Sequence, residues 1–201
     1  GFAGELAPSH VCPSIVGRVK NQSVALASLS PDQASRSVFC GNDAERMNKV
    51  PGLLTIYHPY NNGQYQHWDE AEALWRHVLV DLLEVDPSKT RVLFTEPPLM
   101  ARTDRERVAQ IFFEVLGVHS LYMANSGTLA LMNAGHSEGV VLDCGATVTF
   151  CVPVVHSFCM HNLSRKMDFG GDDLTSLLVQ LLLDKGTPIE TPAEREIVDK
   201  A

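Results

Sequence analysis

One segment of the sequence carries most of the information about the fold: Val141-Leu142-Asp143-Cys144-Gly145-Ala146-Thr147-Val148-Thr149. It predicts two β-strands, over residues 139–143 and 147–152, joined by a tight turn that contains Gly145. Such a turn can hold a phosphate with its backbone N–H groups, while Asp143 holds a metal ion through water. A plain hairpin turn without a ligand is the alternative interpretation.

A second glycine-containing pattern follows downstream, Asp168-Phe169-Gly170-Gly171-Asp172-Asp173-Leu174. It places two glycines where a helix is predicted to begin, and glycine lets a ligand approach the backbone closely. Because the N-terminus of a helix favours anions, a phosphate site is one interpretation. A turn followed by a helix cap is the other.

Upstream of these patterns, two segments show the apolar spacing of amphipathic helices. The first covers residues 69–84, with Asp69 and Glu72 at the spacing of a capping box. The second begins at Thr103, has a glutamate three residues later, and closes at Gly117. Both are predicted to bury one face.

A third helix is predicted to open at Asp172 or Asp173 and to end before Gly186. A fourth helix start follows in Thr191-Pro192-Ala193-Glu194, which combines a capping threonine, a proline at the first helical position and a glutamate. The sequence stops within three turns of that start. Since the first residue is not an initiator Met either, we expect the natural chain to extend beyond both ends.

Further strands are predicted over residues 53–57 and 91–95. The second of these is short, with the apolar centre Val92-Leu93-Phe94, as a buried central strand would have. Strands and helices mixed in this order predict an α/β architecture.

The composition excludes several classes of protein. A net charge of −8 over 201 residues, with a pI near 5.4, argues against direct nucleic-acid binding, which needs clustered Lys and Arg. Residues 174–183 form the longest apolar candidate, too short for the roughly 20 residues that cross a bilayer, and residues 1–5 do not resemble a secretory signal. We therefore expect neither a nucleic-acid nor a membrane partner.

The five cysteines include no CxxC pair, which favours free thiols in a reducing compartment. A zinc site formed by Cys151, His156, Cys159 and His161 is conceivable, but this spacing is not typical of zinc knuckles, so packed thiols and imidazoles are the favoured interpretation. The sequence contains no nucleophile elbow, Walker A motif or GxGxxG motif.

Taken in order, the segments of this chain resemble the actin and actin-related protein family along the whole length. The resemblance implies an actin-like ATPase fold of the ribonuclease-H-like α/β type, with the first half largely present and the second half only begun. The runs that carry it are Gly1-Phe2-Ala3-Gly4, Pro13-Ser14-Ile15-Val16-Gly17-Arg18, Trp68-Asp69, Thr95-Glu96-Pro97-Pro98-Leu99, Gly139-Val140-Val141-Leu142-Asp143-Cys144-Gly145 and Ala193-Glu194-Arg195-Glu196-Ile197-Val198.

The resemblance also implies a division of the chain. Residues 1–19 and 58–138 would form an incomplete large-base subdomain, residues 20–57 a small insertion-loop subdomain, and residues 139–201 the start of the second half. Within the small subdomain, residues 20–37 would correspond to the loop that actin inserts into its filament neighbour. In this chain that segment is rich in Ser, Ala and Gln.

In the family, the segment around Asp143 is the second phosphate loop. The resemblance therefore implies that ATP or ADP with Mg is held by Gly145, Thr147, Val148 and Gly171, with Asp143 on the metal side through water.

Other positions depart from the family pattern. The second Asp of the loop is Ala146, the Gln that orients the attacking water is Ser126, and the His that assists it is Phe150. Neither Ser126 nor Phe150 can do that work, since serine is too short and phenylalanine cannot accept a proton. Asn62 stands where actins carry a methylated His.

The sequence thus predicts a divergent actin-related protein that acts as a structural or scaffolding subunit of a cytoskeletal or other multiprotein assembly, with weak or no ATP hydrolysis. The alternative is a polymerising actin-like ATPase that binds ATP-Mg and forms filaments. We expect protein partners within a larger complex or filament, and a cytoplasmic, cytoskeletal location. A nuclear chromatin-remodelling complex is the alternative location.

Overall fold

The computed structural model describes residues 1–20, 35–189 and 191–199. The chain forms two compact units, the first made of Gly1–Leu93 with Arg102–Tyr122 and the second of Phe94–Ala101 with Met123–Ala201. Of the predicted insertion loop, residues 21–34 lie outside the described residues. The division into three subdomains stays a prediction.

The first unit contains a three-stranded antiparallel sheet in the order β2-β1-β3, formed by β1 Val16–Val19, β2 Val38–Cys40 and β3 Leu54–Tyr57. Helix α1, Gly41–Asn48, follows β2 directly, and Gly41 has a φ of 55°, which favours glycine. The core of the sheet is formed where Val16 and Cys40 pack against Leu74.

A short hairpin joins this sheet to the next helix. Its strands are β4, Tyr60–Asn61, and β5, Gln64–Tyr65. Asn62 and Gly63 connect them with φ values of 50° and 77°, the conformation that two-residue hairpin loops require. Asn62, which the resemblance places at the position of the family's methylated His, is therefore a turn residue in this chain.

The first predicted helix is present as α2, Trp68–Arg76, and continues as a π-helical turn over His77–Leu82. The predicted capping box is wrong, because the helix begins at Trp68 with His67 as its N-cap, and no side chain caps it. Asp69 lies in the first turn instead. There a negative charge still interacts favourably with the helix dipole.

The second predicted helix is present as α3, Arg102–Gln110, followed by a π-helical turn over Ile111–Val115. It begins one residue before the predicted capping threonine, and the glutamate of the predicted box instead accepts a 2.8 Å hydrogen bond from Nε of Arg102. Gly117 has a φ of 69° and ends the helix as predicted.

Strands β6, Arg91–Glu96, and β7, Ser120–Asn125, form a two-stranded sheet, and a 3₁₀ turn over Pro87–Lys89 precedes them. Among the described residues, the prediction of a buried central strand is wrong for this segment, since Leu93 is 57% exposed. The burial alternates along β6 because only one of its faces is covered by described residues.

The second unit is built on the hairpin predicted from the sequence. Its strands, in chain order, are β8 Gly139–Cys144, β9 Thr149–Val155, β10 Phe158–Cys159 and β11 Arg165–Met167. Strand β9 pairs antiparallel with each of the other three. Helix α4, Ser126–Asn133, lies against β8 and β9, and Leu131 packs against the buried residues of β9.

Two helices follow the sheet, α5, Gly171–Asp184, and α6, Pro192–Asp199. The predicted capping box of α6 is confirmed, because Thr191 and Glu194 exchange hydrogen bonds of 2.9 and 3.3 Å. Thr175 of α5 donates a 2.9 Å hydrogen bond to Asp199 of α6. Helix α5 has no buried residue, and five of its six leucines are exposed: Leu174, Leu177, Leu178, Leu181 and Leu183. Within the residues described, no helix combines the length and apolarity needed to span a bilayer.

Candidate functional site

The candidate site is centred on the turn between β8 and β9. Asp143 and Cys144 end β8 and lie opposite Phe150 and Thr149 of β9. The turn is closed by a 2.9 Å hydrogen bond from the N–H of Gly145 to the carbonyl oxygen of Val148. Asp143, Cys144 and Gly145 are all exposed. The turn therefore presents a carboxylate at its surface without needing a ligand to hold its shape.

The first residues of α5 are attached to this turn by backbone hydrogen bonds. The N–H of Gly171 donates to the carbonyl oxygen of Gly145 over 3.0 Å, and the N–H of Asp172 donates to that of Ala146 over 2.8 Å. Thr149 adds a side-chain bond of 2.7 Å from Oγ1 to the carbonyl oxygen of Phe169. The turn and the start of α5 thus form one hydrogen-bonded assembly.

Position 170 must be a glycine because the backbone of the turn lies too close to it for a side chain. A Cβ atom at this position would lie 2.4 Å from the carbonyl oxygen of Ala146 and 2.7 Å from that of Gly145. The pattern of two glycines suggests close approach by a ligand. In the structure, the group that approaches Gly170 is the chain's own backbone, and the N–H of Gly170 donates to Oδ2 of Asp173 over 2.9 Å.

The structure brings Gly171 next to Gly145, although the two residues are far apart in the sequence. Gly145 and Gly171 are joined by a hydrogen bond and are exposed, and Thr147 is half-buried. Val148 is 7% exposed and belongs to the core, so only its backbone is placed to contact a ligand. The binding role of these residues stays a prediction.

The described residues fit a magnesium nucleotide only in part. The carboxylate of Asp143 is exposed, as a water-mediated metal contact requires. However, the N–H groups of Gly145, Gly171 and Asp172 already donate to carbonyl oxygens of this same assembly. Fewer backbone donors are therefore available to phosphate than the sequence pattern suggests.

Ser126, at the family's Gln position, is the first residue of α4 and is half-buried. Asn125 caps the helix, its Oδ1 accepting from the N–H of Gly127 over 3.0 Å and from that of Thr128 over 3.3 Å. Gly127 lies against Val152, where a Cβ atom would be 3.1 Å from the Val152 Cβ. This packing fixes the start of α4 on the sheet.

The sequence reasoning missed Asn125, although an Asn before Ser-Gly-Thr is a recognisable helix-cap signal. Asn125 and Thr128 are buried, and in the described part of the chain their Nδ2 and Oγ1 atoms have no hydrogen-bond partner. Buried polar atoms of this kind are commonly satisfied by ordered water.

Phe150, at the family's His position, is a core residue. It is 5% exposed and belongs to a buried cluster with Val148, Val152 and Val154. Its side chain points to the same face of the sheet as that of Asp143, which lies directly opposite on β8. The retained carboxylate is therefore exposed at the end of the strand, while its cross-strand neighbour is apolar and buried.

The zinc interpretation receives no support from the described residues, which contain no group of three or more His, Cys, Asp or Glu side chains able to hold a metal. His156 instead pairs with Glu138 over 2.7 Å. Cys159 lies 3.9 Å from His161. All five cysteines are free, as expected.

Comparison with known proteins identifies the family of this chain. The family model described as Actin matches residues 1–200. A protein of Neurospora crassa described as "Actin-like protein" is 38% identical over 198 residues, an alignment that covers 98% of this chain and 50% of the relative. The chain thus spans about half the length of that relative. The match over nearly the whole sequence shows that the chain belongs to the actin family.

Proposed function

We propose that this protein is a divergent member of the actin family that serves as a structural or scaffolding subunit of a multiprotein assembly and hydrolyses ATP weakly or not at all. The observation that carries the proposal is the burial of Phe150 among Val148, Val152 and Val154. The family uses this position for a proton-accepting His, whereas in this chain its side chain packs in the core.

The chemistry of phosphoryl transfer supports this proposal. Protein catalysis of that reaction depends on positioning the nucleophile and on stabilising the developing charge. Ser126 is too short to orient an attacking water as a Gln amide does, and Phe150 can neither accept nor relay a proton. The assembly of turn and helix holds its shape through its own hydrogen bonds. Loss of hydrolysis therefore need not disturb the fold.

Nucleotide binding is a separate part of the proposal. ATP or ADP with Mg would be held weakly, with the carboxylate of Asp143 facing the metal through water. Backbone groups of Gly145, Thr147, Val148 and Gly171 would contact the phosphates. The bound nucleotide would act as a ligand that stiffens the protein and would not be consumed.

We propose protein partners in a cytoskeletal complex in the cytoplasm, with a nuclear chromatin-remodelling complex as the alternative. The net charge of −8 suits partners other than nucleic acid. The identification of proteins that co-purify with the full-length natural protein tests this part of the proposal.

The deciding experiment is phosphate release from Mg-ATP by the full-length natural protein, measured beside a conventional actin under polymerising conditions. We expect release at the background rate. A rate comparable with that of the actin would overturn the proposal.

A filament-forming ATPase is the second candidate, and the exposed carboxylate of Asp143 on an intact turn favours it. Sedimentation of the full-length protein with ATP and Mg tests this candidate. Pelleting that increases with protein concentration above a threshold would support it, while protein that stays in the supernatant at every concentration would support the structural subunit.

A further inference from the structure

The segment that leads into β1 runs beside the junction of β2 and α1. Val16, the first residue of β1, pairs with Cys40, the last residue of β2. One residue further along, the N–H of Gly41 donates a 3.0 Å hydrogen bond to the carbonyl oxygen of Ile15. The end of this segment is therefore held against Cys40 and Gly41 by the backbone.

Within this segment, the side chain of Cys12 packs on Gly41. A Cβ atom at position 41 would lie 3.0 Å from the Cβ of Cys12 and 3.4 Å from its Sγ. Successive residues of an extended strand project to opposite sides. Gly41, however, follows the extended residue Cys40 with a φ of 55°, which turns the side-chain direction at position 41 to the side of the Cys40 side chain. Cys12 and the Cys40 thiol therefore lie on the same side of the junction.

The electrostatics of Cys40 agree with this proximity. Its side chain is 8% exposed, and burial raises the pKa of its thiol to about 11. Negative charge on Asp81, on Cys12 and on Asp43 adds to the rise, while Arg18 opposes it. The Cys12 sulfur is thus close enough for its charge to act on the Cys40 sulfur. Both thiols are free.

We propose that Cys12 and Cys40 form a reversible disulfide that ties the segment before β1 to the junction of β2 and α1. A disulfide requires two Cβ atoms about 3.5–4.5 Å apart. No helix or strand of the described chain precedes β1, so a local shift of that segment is sufficient to bring the two sulfur atoms together. In reducing compartments such bonds are usually transient and sense the redox state. The pair would thus be reduced at rest and oxidised when the glutathione pool becomes oxidised.

The reaction consists of two thiol–disulfide exchanges. Cys12 is half-buried and more accessible than Cys40, so its thiolate attacks glutathione disulfide, forms a mixed disulfide and releases one glutathione thiolate. The Cys40 thiolate then attacks the Cys12 sulfur and releases the second glutathione. Two protein thiols are oxidised, one glutathione disulfide is reduced, and the two protons from the protein thiols end on glutathione. Since the pKa of Cys40 is raised, the second exchange is the slower one.

The test uses the full-length natural protein, equilibrated in glutathione buffers that range from reduced to oxidised. Free thiols are blocked with N-ethylmaleimide, the protein is digested with trypsin without reduction, and linked peptides are quantified by mass spectrometry. Cys12 lies in the peptide that ends at Arg18, and Cys40 in the peptide Ser37–Arg46. We expect these peptides to be linked at least about tenfold more abundantly than any other pair among the five cysteines, because neighbouring thiols have a high effective concentration.

Three variants separate the two steps from unrelated oxidation. Cys40→Ser should stop the reaction after the first exchange, so glutathione should accumulate on Cys12. Cys12→Ser should abolish the link and leave Cys40 as a free thiol that reacts with N-ethylmaleimide once the protein is unfolded. Cys151→Ser removes a thiol that is likewise half-buried and should leave the abundance of the link unchanged.

Three results would overturn the proposal. The first is a Cys12–Cys40 link no more abundant in the folded protein than in protein unfolded in urea. The second is the absence of the link in every glutathione buffer. The third is glutathione that accumulates on Cys12 of the unmodified protein without the link forming. None of these measurements involves ATP, so the disulfide and the proposed function fail separately.

Discussion

Asp143 lies directly opposite Phe150 across the β8–β9 hairpin, with its carboxylate exposed while the phenyl ring is buried. In antiparallel strands, residues paired in this way project to the same face of the sheet. The two positions in which the family places a metal-side acid and a proton-accepting imidazole are thus neighbours in this protein. Only the acid has kept its chemical character.

The first prediction concerns restoring the imidazole. Phe150→His should destabilise the protein by about 2–4 kcal/mol, because it removes buried apolar surface and places a polar ring among valines. It should leave phosphate release from Mg-ATP at the background rate, since Ser126 still cannot orient water. The measurements are urea unfolding and phosphate release on the same preparation.

Phe150→Leu serves as the control for that variant, since it keeps the site apolar and should cost less stability than the His variant. A gain of hydrolysis in Phe150→His but not in Phe150→Leu would contradict the prediction, because it would show that the missing imidazole alone limits the reaction and that Ser126 does not prevent it.

The second prediction concerns the paired glycines at the start of α5. Gly170→Ala should destabilise by about 1–3 kcal/mol, because the new methyl group would meet the carbonyl oxygen of Ala146 at 2.4 Å. At Gly171 the nearest atoms to a Cβ lie 3.8–4.0 Å away, so Gly171→Ala should change stability by less than about 0.5 kcal/mol. Thermal unfolding of both variants measures the difference, and equal effects would contradict the close packing of Gly170 on the turn.

The third prediction concerns the ion pair between Arg18 and Glu70. Arg18 Nε lies 2.6 Å from Oε1 of Glu70, and the Glu70 side chain is only 10% exposed. Arg18→Ala should cost about 2 kcal/mol, because it leaves a nearly buried carboxylate without its partner. Arg18→Ala/Glu70→Gln should recover part of that loss, since the uncompensated charge is removed.

A double-mutant cycle completed with Glu70→Gln measures the coupling between these two side chains. The Arg18 side chain is 43% exposed, so solvent reduces the coupling energy below that of a fully buried pair. A coupling energy near zero would show that β1 and α2 do not depend on this contact.

The fourth prediction is a loss of stability at alkaline pH. Burial raises the pKa of the Cys40 thiol from 9.0 to about 11 in the folded protein, with smaller contributions from Asp81, Cys12 and Asp43. Between those values the unfolded chain releases a proton that the folded protein retains, so stability falls as the pH rises. The loss from this group should reach about 2–3 kcal/mol above pH 11.

The comparison that isolates this thiol is urea unfolding of the unmodified protein and of Cys40→Val at pH 7 and pH 10.5 under reducing conditions. Burial also raises the pKa of Tyr65. Because both proteins contain Tyr65, the difference between them in how the free energy of unfolding changes with pH comes from Cys40. Identical slopes would contradict the prediction.

The fold was well predicted where local rules dominate. The hairpin of β8 and β9, helix α5 and the capping box at Thr191 are each specified by short-range patterns of apolar spacing, glycine and capping residues. The capping box at Asp69 was wrong because the helix begins one residue earlier, after His67. Capping chemistry sets a helix end only when tertiary packing does not set it first.

The candidate site was predicted less completely than the fold. Sequence patterns marked the turn at Asp143 and Gly145 and the helix start at Gly171 as separate features, and only the family resemblance placed Gly145 and Gly171 in one site. The structure joins these two glycines by a hydrogen bond. Which carbonyl oxygens accept the N–H groups of α5 depends on contacts between segments about 25 residues apart, and no local pattern encodes them. The burial of Phe150 could not be predicted from its being a phenylalanine either, because Phe158 on the same sheet is exposed.

The hydrogen bonds between the turn and α5 also affect the kinetics of any binding at this end of the helix. An anion that binds there would compete for the N–H groups of Gly171 and Asp172. Their two hydrogen bonds to the carbonyl oxygens of Gly145 and Ala146 would break, and two hydrogen bonds to the anion would form in their place. Binding of this kind is an exchange reaction whose first step is the internal release of the helix end. The observed association rate should then level off at high ligand concentration, at the rate at which the turn and the helix separate.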